Sequence, residues 1–210
     1  MTLRLVAAAA VLAAFTASPA AQEEDWIGWS AQHAERISKS TVANGRIAGG
    51  RRLLNTESAF RYKVIATWFT PDVLRATAKT IQIRKRLTNQ DAQALVTAAE
   101  RPNSTVIMIE LDPDEGSGVI PTDWEAFLQP RNNPDRAVRG TKAPQLREVG
   151  ALAGTSPRNY DYDRFWMIFA LTTDSGERLF ANTDREAELV IRINDREGTV
   201  RWPILSATMR

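Results

Sequence analysis

The C-terminal third of the sequence carries the pattern that most constrains the fold. Leu189, Ile191 and Ile193 alternate with other side chains, as expected where one face of a β-strand is buried. Turn-forming residues at 173–176 and 195–198 divide this third into short segments. The predicted strands are 165–171, 178–181, 188–194 and 199–205. Short turns between strands predict an antiparallel meander, and Pro203 suggests that the last strand is an edge.

Two helices are predicted upstream of this meander. Thr70, Pro71 and Asp72 have the residue types of a helix start, and apolar residues then follow the helical period to residue 86. A strand at 81–83 is the alternative for part of this segment. Thr88 and Asp91 fit a capping box that opens a second helix, which continues to about residue 99.

Strands at 60–68 and 105–111 flank the two helices, and the element order predicts an α+β fold. We expect an antiparallel sheet of about six strands with a helical pair on one face. A β-sandwich with inserted helices is the alternative. The stretch 112–163 is rich in Pro, Gly, Asn and charge, which predicts a long loop with short helices at 122–129 and 144–152.

Residues 1–20 have the organisation of a secretory signal peptide. Arg4 precedes an apolar run at 5–15, and small residues then allow cleavage after Ala20. The apolar run is about half of the roughly 20 residues that a membrane-spanning helix needs, which argues against an uncleaved anchor. The sequence therefore predicts an exported protein, periplasmic or secreted.

The mature chain is predicted to have two parts. Residues 21–59 form an N-terminal helix from Asp25 to Lys39 and a Gly-rich linker, and residues 60–210 form a single α+β domain. Trp26 and Trp29 precede that domain, so they are candidates for an exposed contact with a partner; the alternative is that their helix folds back onto its own domain. The other indole rings on apolar faces are assigned to the core, namely Trp68, Trp124, Trp166 and Trp202.

Composition excludes several kinds of chemistry. The 210 residues include no Cys and one His, so disulfides, thiol catalysis, zinc ribbons and sites of several imidazoles are excluded within one chain. We predict no cofactor, no metal and no disulfide. The net charge of +2, from 27 Lys+Arg and 25 Asp+Glu, is spread along the chain, so we expect no nucleic-acid partner.

Acidic residues supply the candidates for catalysis or calcium binding. The stretch 112–118 begins like a calcium loop, but the Gly and Glu positions of that motif are not matched. Gly116, Ser117 and Gly118 do not form a nucleophile motif. Glycoside hydrolysis needs two carboxylates, and several acids could provide them: Asp112, Asp114, Asp123, Glu125, Asp161 and Asp163. No residue is assigned as catalytic.

The predicted binding residues are Tyr160, Asp161, Tyr162 and Asp163, because aromatic faces beside carboxylates suit sugars or cations. The alternative is that the two rings cover the edge of the sheet. The leading hypothesis is a non-catalytic binding or structural module of a bacterial-type cell envelope, with an unknown envelope protein or glycan as partner. The alternative is a hydrolase that acts on an envelope polymer or glycan with carboxylate acid/base residues.

Overall fold

The computed structural model describes residues 25–47, 61–100, 102–113, 120–144 and 163–204. In these ranges the chain forms nine β-strands and three α-helices. The strands are β1 Val42–Ile47, β2 Tyr62–Phe69, β3 Ser104–Pro113, β4 Trp124–Pro130, β5 Val138–Arg139, β6 Thr141–Lys142, β7 Asp163–Ala170, β8 Glu186–Ile193 and β9 Arg196–Pro203. The helices are α1 Ala31–Ser38, α2 Pro71–Lys85 and α3 Asn89–Ala99, with short 3-10 turns at Trp26–Gly28 and Pro134–Arg136.

All nine strands belong to one sheet, in the order β5-β4-β8-β9-β1-β2-β3-β7-β6, and every neighbouring pair is antiparallel. The two outermost strands, β5 and β6, are successive pieces of one segment on either side of Gly140. The Gly140 amide donates to the Ala126 carbonyl of β4, and the Ala143 amide donates to the Trp166 carbonyl of β7, both at 2.8 Å. This segment therefore joins the two ends of the sheet into a nearly closed barrel.

The fold prediction was wrong. Neither a sheet of about six strands with a helical pair nor a β-sandwich describes a nine-stranded sheet that curls on itself. Three of the additional strands lie within the stretch 112–163, which was expected to be mostly loop. Another, β1, includes residues 44–47, which were assigned to a Gly-rich loop.

A short helix was expected at 122–129, but residues 124–130 form strand β4. Trp124, Ala126 and Leu128 are buried in alternation with half-buried neighbours, which is the period of a strand. In a helix over the same segment, Trp124, Phe127 and Leu128 would lie on one apolar face. The local apolar period therefore does not distinguish a helix from a strand here. Pairing with β8 along the whole of β4 decided between them.

Two details of the predicted meander were also wrong. Residues 178–181 form no strand and contribute only an isolated bridge between Thr172 and Arg178. Strand β9 is not an edge, since it pairs with both β8 and β1. Its pairing with β1 is limited to Gly198 and Thr199, so Pro203 is not required to donate a hydrogen bond to β1.

The two long helices were predicted correctly. Thr70 caps α2 and Pro71 occupies its first turn, while Thr88 and Asp91 form both hydrogen bonds of the capping box of α3. The N-terminal helix differs from its prediction because it is divided in two. Asp25 caps the turn Trp26–Gly28, Trp29 is extended, and the Ser30 hydroxyl caps α1.

Side chains from both faces of the sheet form the core. The inner face packs the barrel interior with aliphatic and aromatic residues that include Trp68, Trp124 and Trp202. On the outer face, α2 and the end of α3 cover β2, β3 and β7 through a cluster of Phe69, Val73, Leu74, Ala99, Val106, Met108, Ala143 and Trp166. The assignment of Trp68, Trp124, Trp166 and Trp202 to the core is confirmed, since each is at most 4% exposed.

Candidate functional site

A pocket of about 540 Å³ lies where β2 leads into α2 and α3 leads back into β3. We call this end of the barrel the helix end. Here Thr70 and Pro71 turn the chain from strand to helix, because the Thr70 hydroxyl accepts from the Val73 amide and Pro is favoured in a first helical turn. On the other side, Glu100 is extended after α3, and Asn103 has a left-handed φ of 58° before β3 begins.

The floor of the helix-end pocket is apolar and held by hydrogen bonds. Trp68 is 2% exposed, and its indole N–H donates to the Thr105 hydroxyl at 2.7 Å. Trp202 lies edge-on to Trp68 with ring centroids 5.8 Å apart, and its indole N–H donates to the Thr41 carbonyl. The Thr41 hydroxyl in turn donates to the Trp68 carbonyl at 2.7 Å. These bonds fix both indole rings, of which Trp68 lines the pocket and Trp202 packs against Trp68.

The rim of the helix-end pocket carries charges of both signs. Arg75 projects from α2, and its guanidinium nitrogens lie 3.7 Å from a carboxylate oxygen of Asp72 and 3.7 Å from one of Glu100. Thr97 and Asn103 add polar groups to the lining. An apolar floor below a polar and charged rim is suited to an amphipathic ligand whose apolar part enters first.

A second pocket of about 250 Å³ lies on the other side of the β2–α2 junction. It shares Trp68, Thr70 and Pro71 with the first pocket, and its remaining walls include Ile37 of α1 and Trp202 of β9. The helix end therefore has two adjacent concave surfaces. A ligand in either one would contact the shared residues of the β2–α2 junction.

Of the residues predicted from sequence to bind a ligand, the structure describes only the backbone of Asp163. Tyr160, Asp161 and Tyr162 lie outside the described residues, and the backbone of Asp163 begins β7 opposite Leu111. Their prediction as a binding cluster is untested and stays a prediction. Because neighbouring strands are antiparallel, the start of β7 and the end of β3 are at the end of the sheet remote from the helix-end pocket.

The candidate carboxylates that the structure describes, Asp112, Asp123 and Glu125, lie at the same end of the sheet. Asp112 is half-buried and lies across from Lys63 in the β2–β3 register, and Asp123 is exposed. Glu125 is engaged in an ion pair, with a carboxylate oxygen 2.5 Å from a guanidinium nitrogen of Arg139. Asp114 and Asp161 lie outside the described residues. Among the residues that are described, no group of three or more His, Asp or Glu side chains has the arrangement of a metal site.

The structure buries one of the two aromatic residues proposed for an exposed contact. Trp26 is 7% exposed and packs against Ala78, Ala92 and Val96 of the two long helices. Trp29 is half-buried and contacts the His33 ring edge-on, with centroids 5.0 Å apart. Of the two possibilities for Trp26, an exposed contact or a segment folded back on its own domain, the structure shows the second, because the segment before α1 packs onto the helical layer.

Comparison with known proteins identified no relative. No family model matches the chain, and neither the curated proteins nor the solved structures include a match. In the described part of the chain, no helix has the length and apolar character needed to cross a membrane.

Sequence reasoning did not find the helix-end pocket. Trp68 was assigned to the core, and Thr70 and Pro71 were assigned to a helix start. Each assignment is correct, but it describes that residue alone and not the pocket that the residues line together. The pocket also needs Glu100 and Leu171, which are distant in sequence and meet only because β3 lies between β2 and β7. Nothing in the sequence pattern indicates this meeting.

Proposed function

We propose that the protein is a non-catalytic binding module of a bacterial-type cell envelope and that the helix-end pocket is its ligand site. The single observation that carries the proposal is the pocket itself, which combines a fixed indole floor with a rim that bears charges of both signs. Mouths of β-barrels are frequent positions for small-ligand sites. The envelope location is supported by the signal-like residues 1–20.

The chemistry of the lining supports binding over catalysis. Glu100 on the rim and Asp72, which lines the second pocket, each have a carboxylate oxygen 3.7 Å from the guanidinium of Arg75, so both charges are directed toward a permanent cation. The Thr105 hydroxyl accepts a hydrogen bond from Trp68. A ligand with an apolar body and a small polar group matches this lining, because the body covers the floor while the polar group meets the rim.

The pocket can be blocked from its rim without changing the core. Thr97 lines the pocket, and its side chain is exposed on α3. We expect Thr97→Trp to fill the pocket, while Ala94→Trp, at another exposed position of the same helix, leaves it open. Binding is measured by titration with the fluorescent probe anilinonaphthalene sulfonate, which has an apolar body and one anionic group.

The expected result is saturable binding of the probe to the wild type and to Ala94→Trp, with loss of that binding in Thr97→Trp. Equal binding by all three proteins would place the probe elsewhere and contradict the proposed site. Mass spectrometry of the protein isolated from its own cells under native conditions then identifies a retained ligand, which should be absent from Thr97→Trp.

A further inference from the structure

The end of α2 carries an exposed basic surface that the proposed pocket does not use. Ile83, Arg84, Lys85 and Arg86 are consecutive and all exposed, and Ile83 keeps 44% of its surface accessible. Within the described ranges, Arg84, Lys85 and Arg86 form no ion pair. We call residues 83–86 the α2 basic end.

Helix α1 adds a further cation to this region. Lys39 and Glu35 form an ion pair at 2.7 Å on the exposed side of α1. The hydrogen bond and charge of Lys39 lower the pKa of Glu35 below its ordinary value of 4.5, and the charge of Arg84 lowers it further. Arg84 is therefore close enough to act on α1, and Glu35 is the carboxylate that faces these cations. The region has an excess of positive charge.

The helix macrodipole explains only part of this arrangement. Cations in the last turn of a helix, such as Arg84 and Lys85, interact favourably with its C-terminal carbonyl groups. Arg86 is different, because it follows the helix in the left-handed conformation with φ 52° and ψ 42°. Glycine is the preferred residue at such a position, since a side chain there is strained. Arg86 therefore places a cation where the backbone favours glycine.

The exposed Ile83 indicates what kind of partner meets these cations. An isoleucine beside three basic residues has no complement on a soluble polyanion, which offers only charge. At the surface of a bilayer, the same side chain can enter the boundary between headgroups and acyl chains while the cations contact anionic headgroups. We propose that the α2 basic end is a docking surface for a bilayer that contains anionic phospholipids.

The proposal is tested by co-sedimentation with vesicles of phosphatidylglycerol and phosphatidylcholine, compared with vesicles of phosphatidylcholine alone. In the uncleaved chain the apolar residues 5–15 would favour both vesicles alike, so the quantity compared is the ratio of the two partition coefficients. One cation near an anionic surface contributes about a fivefold change in partitioning. We expect Lys85→Gln to lower the ratio about fivefold. The matched control Arg178→Gln removes an exposed cation from the loop after β7 and should leave the ratio unchanged.

Two further variants separate docking from general charge and from helix stability. Arg86→Gly should lower the ratio as Lys85→Gln does, while its urea unfolding midpoint does not fall, because glycine relieves the left-handed strain. Ile83→Ser should weaken binding to the anionic vesicles but not binding to dextran sulfate, which is a soluble polyanion. Equal effects of Lys85→Gln and Arg178→Gln would overturn the proposal. An unchanged vesicle affinity of Ile83→Ser would also overturn it and assign the surface to a soluble polyanion.

This inference is independent of the helix-end pocket. Binding of anilinonaphthalene sulfonate should be the same in Lys85→Gln as in the wild type, and vesicle binding should be the same in Thr97→Trp. A failure of either proposal is therefore distinguishable from a failure of the other.

Discussion

Single glycines determine how closely the strands of this barrel approach one another. At Gly140, a Cβ atom would lie 2.6 Å from the ring of Phe169 and 2.9 Å from the terminal methyl of Met167, and both of these side chains are buried in the barrel interior. Gly198 is similar, since a Cβ atom there would meet the backbone and side chain of Ile47. Glycine within a strand often marks such a close approach. Both glycines lie at close approaches inside the barrel, although the sequence around them was interpreted as loop or turn.

The first prediction concerns Gly140, which lies between β5 and β6. We expect Gly140→Ala to lower the free energy of unfolding by about 1–3 kcal/mol, because overpacking forces buried side chains to move. The measurement is urea unfolding followed by tryptophan fluorescence. Gly28→Ala is the matched control, since nothing lies within 4 Å of a Cβ atom at Gly28, and its stability should not decrease. Similar losses in both variants would show that Phe169 does not constrain position 140.

At the scale of elements, the helices were predictable because their signals are local. The start of α2 lies within the three residues Thr70, Pro71 and Asp72, and the start of α3 within Thr88 to Asp91. Strand β4 was not predictable in this way, since its residues satisfy helical and extended periods equally. Its partner β8 is about 60 residues away, and only pairing with that strand distinguishes the two structures.

The second prediction concerns the start of α3. The Thr88 hydroxyl accepts from the Asp91 amide at 3.1 Å, and the Asp91 carboxylate accepts from the Thr88 amide at 3.2 Å. We expect Thr88→Ala to reduce the free energy of unfolding by about 1 kcal/mol, as is typical when a helix loses its capping side chain. Gln90→Ala changes an exposed residue of the same turn and serves as the control. Equal stability of Thr88→Ala and Gln90→Ala would contradict a stabilising capping box.

At the scale of the whole molecule, the barrel is closed by short pairings, and only the β1–β9 pairing is as short among the other neighbouring strands of the described sheet. Strands β5 and β6 have two residues each, whereas β3 pairs over eight residues with each of its neighbours β2 and β7. Closure at the segment around Gly140 therefore depends on few hydrogen bonds, while the centre of the sheet depends on many. Local opening is expected to begin where such bonds are fewest.

The third prediction follows from this difference and is tested by amide hydrogen exchange under native conditions. The amides of Gly140 and Ala143 donate to Ala126 and Trp166, so we expect both to be protected from exchange. They should nevertheless exchange faster than the amides of Ile107 and Ile109 at the centre of β3. Unprotected amides at Gly140 and Ala143 would mean that the barrel is open in solution. Protection equal to that of β3 would contradict opening at this segment.

The sequence by itself determined those features that depend on neighbours along the chain. These are the helix starts at Thr70 and Thr88, the alternating strand β8, the core positions of four tryptophans and the absence of disulfides. Tertiary structure alone decided that β4 is a strand, that the sheet closes at Gly140 and that Trp68, Glu100 and Leu171 share a pocket. The physical reason is the range of the interactions. Caps and periodicity act over a few residues, whereas strand pairing and pocket formation join residues whose separation along the chain carries no local signal.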